Sequence, residues 1–197
     1  LFTSGRDNQG ASVPTHVALL RGINVGGRNR VAMAALREVV EGLGHTGVAT
    51  YIQSGNVVFT SDEADPGTLA AALERAIAGQ LGVKPTVVVL TREQLAQVVA
   101  DNPFPGEDNP RQVHALFWNG PLGTEELAAV AAAQRQAREA GGRDEAKVVG
   151  TTLYLHTPDG YGRSELAARL ARIGSGRTAA TARNWATVRK LLAMCDS

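Results

Sequence analysis

Cysteine is almost missing from this chain: of 197 residues, only Cys195 carries a thiol. No intrachain disulfide and no cysteine-based metal cluster can form, which fits a reducing, cytoplasmic location. Aromatic residues are scarce, at 5%, and the aromatic-rich strand motif that stacks bases is missing. Both argue against RNA or single-strand recognition on an open sheet. Neither sign of charge dominates, because 20 basic and 19 acidic side chains leave a net charge of +1. A global electrostatic grip on nucleic acid is not expected, though a local basic patch is compatible with these numbers. No apolar run nears the ~20 residues that cross a bilayer. The four histidines, His16, His45, His114 and His156, are scattered without ligand spacing, so no metal site is expected. Gly-Lys-Ser/Thr and Gly-x-Gly-x-x-Gly are both missing, so no phosphate-loop or dinucleotide cofactor is expected either.

What is present is concentrated first in His16–Arg30, HVALLRGINVGGRNR. Val17, Leu19 and Leu20 read as a half-buried strand, and Arg21 falls where the apolar run ends. Gly22, Gly26 and Gly27 permit positive φ and close backbone approach, and successive N–H groups there could form an anion-holding nest. Arg28 and Arg30 add positive charge before a helix whose N-terminus also favours anions.

Helical spacing of Met33, Leu36, Val40 and Leu43 predicts a helix stopped at Gly44. Val48–Ile52 and Val57–Thr60 read as a hairpin around Gln53-Ser54-Gly55-Asn56. Asp65 can cap the next helix with Pro66 in its first turn, its stripe being Leu69, Leu73, Ile77 and Leu81, and Gly82 ending it. Thr86–Leu90 is a fourth strand, so the order is βαββαβ, the ferredoxin-like split motif. Thr91–Gln94 reads as a capping box opening a further helix to about Ala100.

Asp101–Pro110 holds three prolines and marks the clearest boundary, with Phe104 pinning it to a surface. Beyond it, Val113–Trp118 is a strand and a helix opens near Thr124, broken by Gly141-Gly142. Ala146–Val149 and Thr152–His156 read as paired strands, and Ser164 caps a helix through Leu166, Leu170 and Ile173. Gly174–Gly176 interrupts, Thr178–Ala182 is a last short strand, and Asn184 caps a final helix bearing Trp185, Val188, Leu191 and Leu192. The expected architecture is α+β: two ferredoxin-like units packed together, antiparallel sheets with helices on one face. The expected divisions are a flexible extension over 1–13, a first unit over 14–100, a linker over 101–112 and a second unit over 113–197.

Three ordered motifs, RGINVGG at Arg21–Gly27, YIQSGNVVF at Tyr51–Phe59 and ARNWATVRKLL at Ala182–Leu192, resemble the bacterial family catalogued as domain of unknown function 1697. Pro103-Phe104 and Gly162–Leu166 are weaker markers of the same resemblance. It implies a fold and a set of residues to inspect, and no substrate. In that family the third motif usually reads Thr-Thr-Arg-Asn-Trp, so Ala182 replaces one hydroxyl. Glu165 stands where a lysine often follows the serine.

Three clusters carry candidate chemistry. Arg21, Asn24 and the Gly26-Gly27 pair offer guanidinium, amide and backbone donors to a phosphate or carboxylate. The same residues also suit a plain strand-to-helix loop, with Arg21 paired to an internal carboxylate. Alternation puts Tyr51 and Gln53 on one sheet face, where Gln53, Ser54 and Asn56 could fix a polar ligand or simply make a turn. Arg183 beside a helix start would make an anion clamp, while Asn184 and Trp185 suit capping and core filling.

The leading expectation is a small anionic ligand held by Arg21, Asn24, Gly26, Gly27, Gln53, Ser54, Asn56 and Arg183 at a site shared by the two halves. The alternatives are a transferase or hydrolase acting on such a ligand, its arginines stabilising developing charge, and a nucleic-acid-binding or oligomerising module. No general acid or base is identified by the residues, and the oligomeric state stays open.

Overall fold

The computed structural model describes residues 15–173 and 180–197. The expected extension over 1–13, the break at Gly174–Gly176 and the first two positions of the strand expected over 178–182 lie outside them. Among the described residues the first unit runs β1 (His16–Arg21), α1 (Met33–Gly42), β2 (Thr46–Tyr51), β3 (Asn56–Thr60), α2 (Pro66–Leu81), β4 (Thr86–Thr91) and α3 (Arg92–Ala100). The second runs β5 (Val113–Phe117), α4 (Thr124–Glu139), β6 (Glu145–Val149), β7 (Thr152–His156), α5 (Glu165–Leu170), β8 (Thr181–Asn184) and α6 (Trp185–Cys195). A single 3-10 turn, Tyr161–Arg163, precedes α5.

The sheet orders are β2-β3-β1-β4 and β6-β7-β5-β8, both antiparallel throughout. Each is the ferredoxin-like order, and the second half therefore completes the βαββαβ cycle of the first. Local signals fix many ends. Asp65 accepts from the N–H of Thr68 with Pro66 in the first turn, and Gly82 closes α2 in the left-handed region at φ 68°. Thr91 and Gln94 form a full capping box on α3, and Asn184 caps α6 through the N–H of Thr187.

Strand alternation divides the core into three layers. Ala18, Leu20, Val57, Phe59, Val87 and Val89 face α1 and α2 on the outside of the first sheet. Leu116, Leu153 and Leu155 pack with α4 and α5 on the outside of the second. Between the sheets, Val17, Leu19, Val58 and Val88 meet Val113, Ala115, Phe117 and Tyr154 through α3 and α6. Those two additional helices thus fill the inner faces, and the buried phenol of Tyr154 donates to the carbonyl of Val98 on α3. Phe104, from the stretch joining the units, belongs to this shared core.

Two of the strand limits that differ from expectation bear on the site. β2 stops at Tyr51, and Ile52 takes φ 51° with its side chain exposed. Gln53 therefore lies in the turn rather than on the sheet face of Tyr51. β8 runs on through Arg183 to Asn184, so Arg183 is a strand residue whose partner is Ala115.

Candidate functional site

The end of β1 and the turn between β2 and β3 meet β8 at the junction of the two units. A cleft of about 360 Å³ opens there, lined by Leu20–Val25, Gln53 and Ser54 from the first unit and by Tyr161, Ala171 and Ala180–Arg183 from the second. Arg21, Asn24, Gln53, Ser54 and Arg183 are thus brought together. A shallower depression alongside is lined by Asn24, Gly27, Arg30 and Gln53, among others. Among the described residues neither lining contains a carboxylate.

The polar residues divide by what their donors already do. Asn24 takes φ 53°, a left-handed conformation that asparagine tolerates. Its amide donates to the carbonyls of Val31 at 3.0 Å and Gln53 at 2.9 Å, and its Oδ1 accepts from the N–H of Val31 at 2.8 Å. It therefore latches the β1–α1 loop to the β2–β3 turn. Gly26 and Gly27, at φ 58° and 76°, are the central pair of a tight turn closed by the N–H of Arg28 on the carbonyl of Val25. Two consecutive left-handed residues make a type I′ turn, and that is why both are glycine. Gly26 sits at the tip of this exposed hairpin, outside both linings.

Asn56 is fully buried beneath the cleft, its amide donating to the carbonyl of Tyr51 and to Ser54 Oγ. Its Oδ1 accepts from Arg183 Nε. Arg183, only 8% exposed, also donates to the carbonyls of Ala182 at 2.9 Å, Leu20 at 2.8 Å, Ser54 at 3.2 Å and Gly55 at 3.3 Å. Burial pushes its pKa down to about 10, which leaves it charged at neutral pH. Carbonyl dipoles compensate that charge in place of a carboxylate. Arg183 therefore ties the second sheet to the first unit's hairpin.

Arg21 is different. Its Nη1 is buried and has no hydrogen-bond partner among the described residues. Gln53 and Ser54 are exposed at the same cleft.

The second wall contains residues that sequence reasoning did not select. Tyr161 lines the cleft and stacks on His114 with ring centroids 4.1 Å apart. Burial raises the Tyr161 phenol's pKa, and the Arg21 charge opposes that rise. Desolvation lowers His114 to about 4, so its imidazole is neutral at pH 7. Thr181 is buried with its hydroxyl unpartnered among the described residues. A local signal existed only for Thr181, as the hydroxyl adjoining the Ala182–Leu192 motif; Tyr161 and His114 are separated by 47 positions.

Fold and cleft together define a two-unit ferredoxin-like α+β protein with a polar, arginine-bearing cleft at its junction. The chain belongs to the family described as protein of unknown function (DUF1697), whose model matches residues 13–154. Among solved structures it is similar to the conserved bacterial protein SP0830 from Streptococcus pneumoniae. The TM-score is 0.73 at 24% identity, covering 93% of this chain and 99% of that one; the likeness is one of fold. No curated protein matches the chain.

Proposed function

We propose that the junction cleft binds a small ligand carrying a phosphate or carboxylate, in a protein of the reducing cytoplasm. The observation that carries this reading is the Arg21 guanidinium, whose buried Nη1 has no partner among the described residues, in a cleft where none of the described lining residues is a carboxylate. A guanidinium supplies several donors in a planar fork suited to such anions. Gln53 and Ser54 offer further polar contacts from the facing turn, and Arg28 and Arg30 add exposed positive charge on the adjoining loop. Asn24, Asn56 and Arg183 frame the cleft through the bonds described above, and Gly27 lines the depression alongside. Tyr161 supplies an aromatic surface for the body of the ligand. The single, buried Cys195 is compatible with the compartment.

The test is a thermal-shift series with inorganic phosphate, adenosine monophosphate, glucose 6-phosphate and citrate on wild type and Arg21→Met. A ligand that binds only the native state raises stability by about 2.7 kcal/mol at a hundred times its dissociation constant. At least one compound should stabilise wild type and leave Arg21→Met unmoved. An absence of response across the panel, or an equal response in both proteins, would refute the reading.

A further inference from the structure

A second cleft lies where β4, an edge strand of the first sheet, meets the loop after β5. Its larger part, of about 580 Å³, runs from the start of α2 to Trp118–Pro121. A smaller part of about 240 Å³ shares Leu90, Gln94, Trp118 and Thr151 with it and continues beside α3. Asp65 and Glu74 line the first part and Asp101 the second, and among the described residues neither lining includes a lysine, arginine or histidine. The electrostatic character is opposite to that of the Arg21 cleft.

Two observations besides charge mark this cleft. Trp118 lines both parts and is 8% exposed, yet its indole N–H meets no acceptor among the described residues. The second concerns the outer edge of β4. The N–H of Val87 donates to Glu74 Oε1 at 3.0 Å, and its carbonyl accepts from Asn119 Nδ2 at 2.9 Å. The N–H of Thr91 donates to Gln94 Oε1 at 2.9 Å. Alternate residues of an edge strand turn their backbone groups outward, so among the described residues Val89 is the rung left open between these plugs. A single rung is too short to take on a peptide strand, which needs a run of main-chain bonds. It suits one polar group of a small molecule.

We infer that this cleft binds a small aryl-alkyl amine: its ammonium sits in the negative field of the Asp65 and Glu74 carboxylates, its ring lies against Leu90 and Trp118, and a polar oxygen accepts from the indole N–H. Three carboxylates disfavour an anion there, and an apolar wall with one donor orients a ring bearing an oxygen. None of the Arg21 cleft's residues takes part, so this site stands or falls separately.

Tyramine is the probe, compared with its carboxylate counterpart 3-(4-hydroxyphenyl)propionate and with neutral 4-ethylphenol. The readout is the pair of indole cross-peaks in a proton–nitrogen correlation spectrum, with Trp118→Phe to assign them. Trp185, in the core between the sheets, is the internal control. Tyramine should shift the Trp118 peak saturably while leaving that of Trp185 in place, and the propionate should not. Asp65→Asn with Glu74→Gln removes both charges while keeping a cap for α2 and an acceptor for the N–H of Val87. That variant should weaken tyramine about fivefold, as expected for removing two partly exposed charges, and Arg21→Met should leave it unchanged. No saturable shift, equal shifts from amine and acid, or unaltered affinity in the charge-neutral variant would overturn the assignment.

Discussion

Arg183 and Asn56, 127 positions apart in the chain, are bonded across the junction of the two units, guanidinium Nε to amide oxygen. The same guanidinium gathers the carbonyls of Leu20, Ser54 and Gly55, so one side chain of β8 organises the floor of the cleft. Truncating it strands buried acceptors that water cannot easily reach. Arg183→Ala should cost about 2–4 kcal/mol, on the scale of several unmet buried polar groups. Arg183→Lys should recover little, since a point charge cannot span the same fork. In a double-mutant cycle read by urea denaturation, Arg183→Ala and Asn56→Ala should couple by about 1 kcal/mol or more. Additive effects would mean that the two residues act independently.

Gly55 serves the same junction from the hairpin side. It sits at φ +79°, and a Cβ there would lie 2.7 Å from Ile23 Cδ1 and 2.9 Å from Leu20 Cβ. Gly55→Ala therefore meets backbone strain and a packing clash together, costing on the order of 2–4 kcal/mol. Gly26→Ala is the control: its φ is +58° with nothing within 4 Å, so about 1–2 kcal/mol of strain alone is expected. Equal losses in thermal melts would remove the packing half of this argument.

Acid should destabilise the protein through His114. Its folded pKa of about 4 lies below the ordinary 6.5 because burial disfavours the imidazolium. Between those values the unfolded chain binds a proton that the folded chain does not, so stability falls as pH drops from 6.5 towards 4. The contribution is on the order of 2 kcal/mol. His16 and His45 are lowered by burial too and act in the same direction. His114→Phe keeps a ring against Tyr161 and should flatten part of that slope in urea midpoints measured across pH. An unchanged slope would place the acid sensitivity elsewhere.

Much of the fold was legible because its signals are local. Asp65-Pro66, the Thr91–Gln94 box and Asn184 each announce a helix start through one side chain and one backbone N–H. β1, read as half-buried, is buried on both faces, because α3 and α6 cover the inner side of its sheet. Ile52 was not legible, since a β-branched residue at positive φ contradicts its own propensity. The limits of β8 were missed because Arg183 is polar and its burial depends on carbonyls from another unit. The candidate cleft was legible in half: the glycines and amides of the first unit stand close together in sequence. Tyr161 and His114 come together only through the second sheet, and no spacing reports that. Periodicity also gave no sign that α3 and α6 would share one layer between the sheets.

The two arginines of the cleft offer the sharpest contrast, because the same substitution should do opposite things to them. Arg183 bonds both units, whereas the guanidinium of Arg21 makes no hydrogen bond to protein among the described residues and keeps a buried Nη1 unmet. Methionine preserves much of an arginine stem's packing while deleting the donors and the charge. Arg21→Met should therefore change folding stability by less than about 1 kcal/mol, with no buried carbonyl left stranded. Arg183→Met should lose stability like Arg183→Ala. If the Arg21 cleft holds an anion, the stabilisation that anion gives wild type should vanish in Arg21→Met at unchanged basal stability. A large loss of basal stability in Arg21→Met, without any ligand, would instead make Arg21 a structural tie like its neighbour.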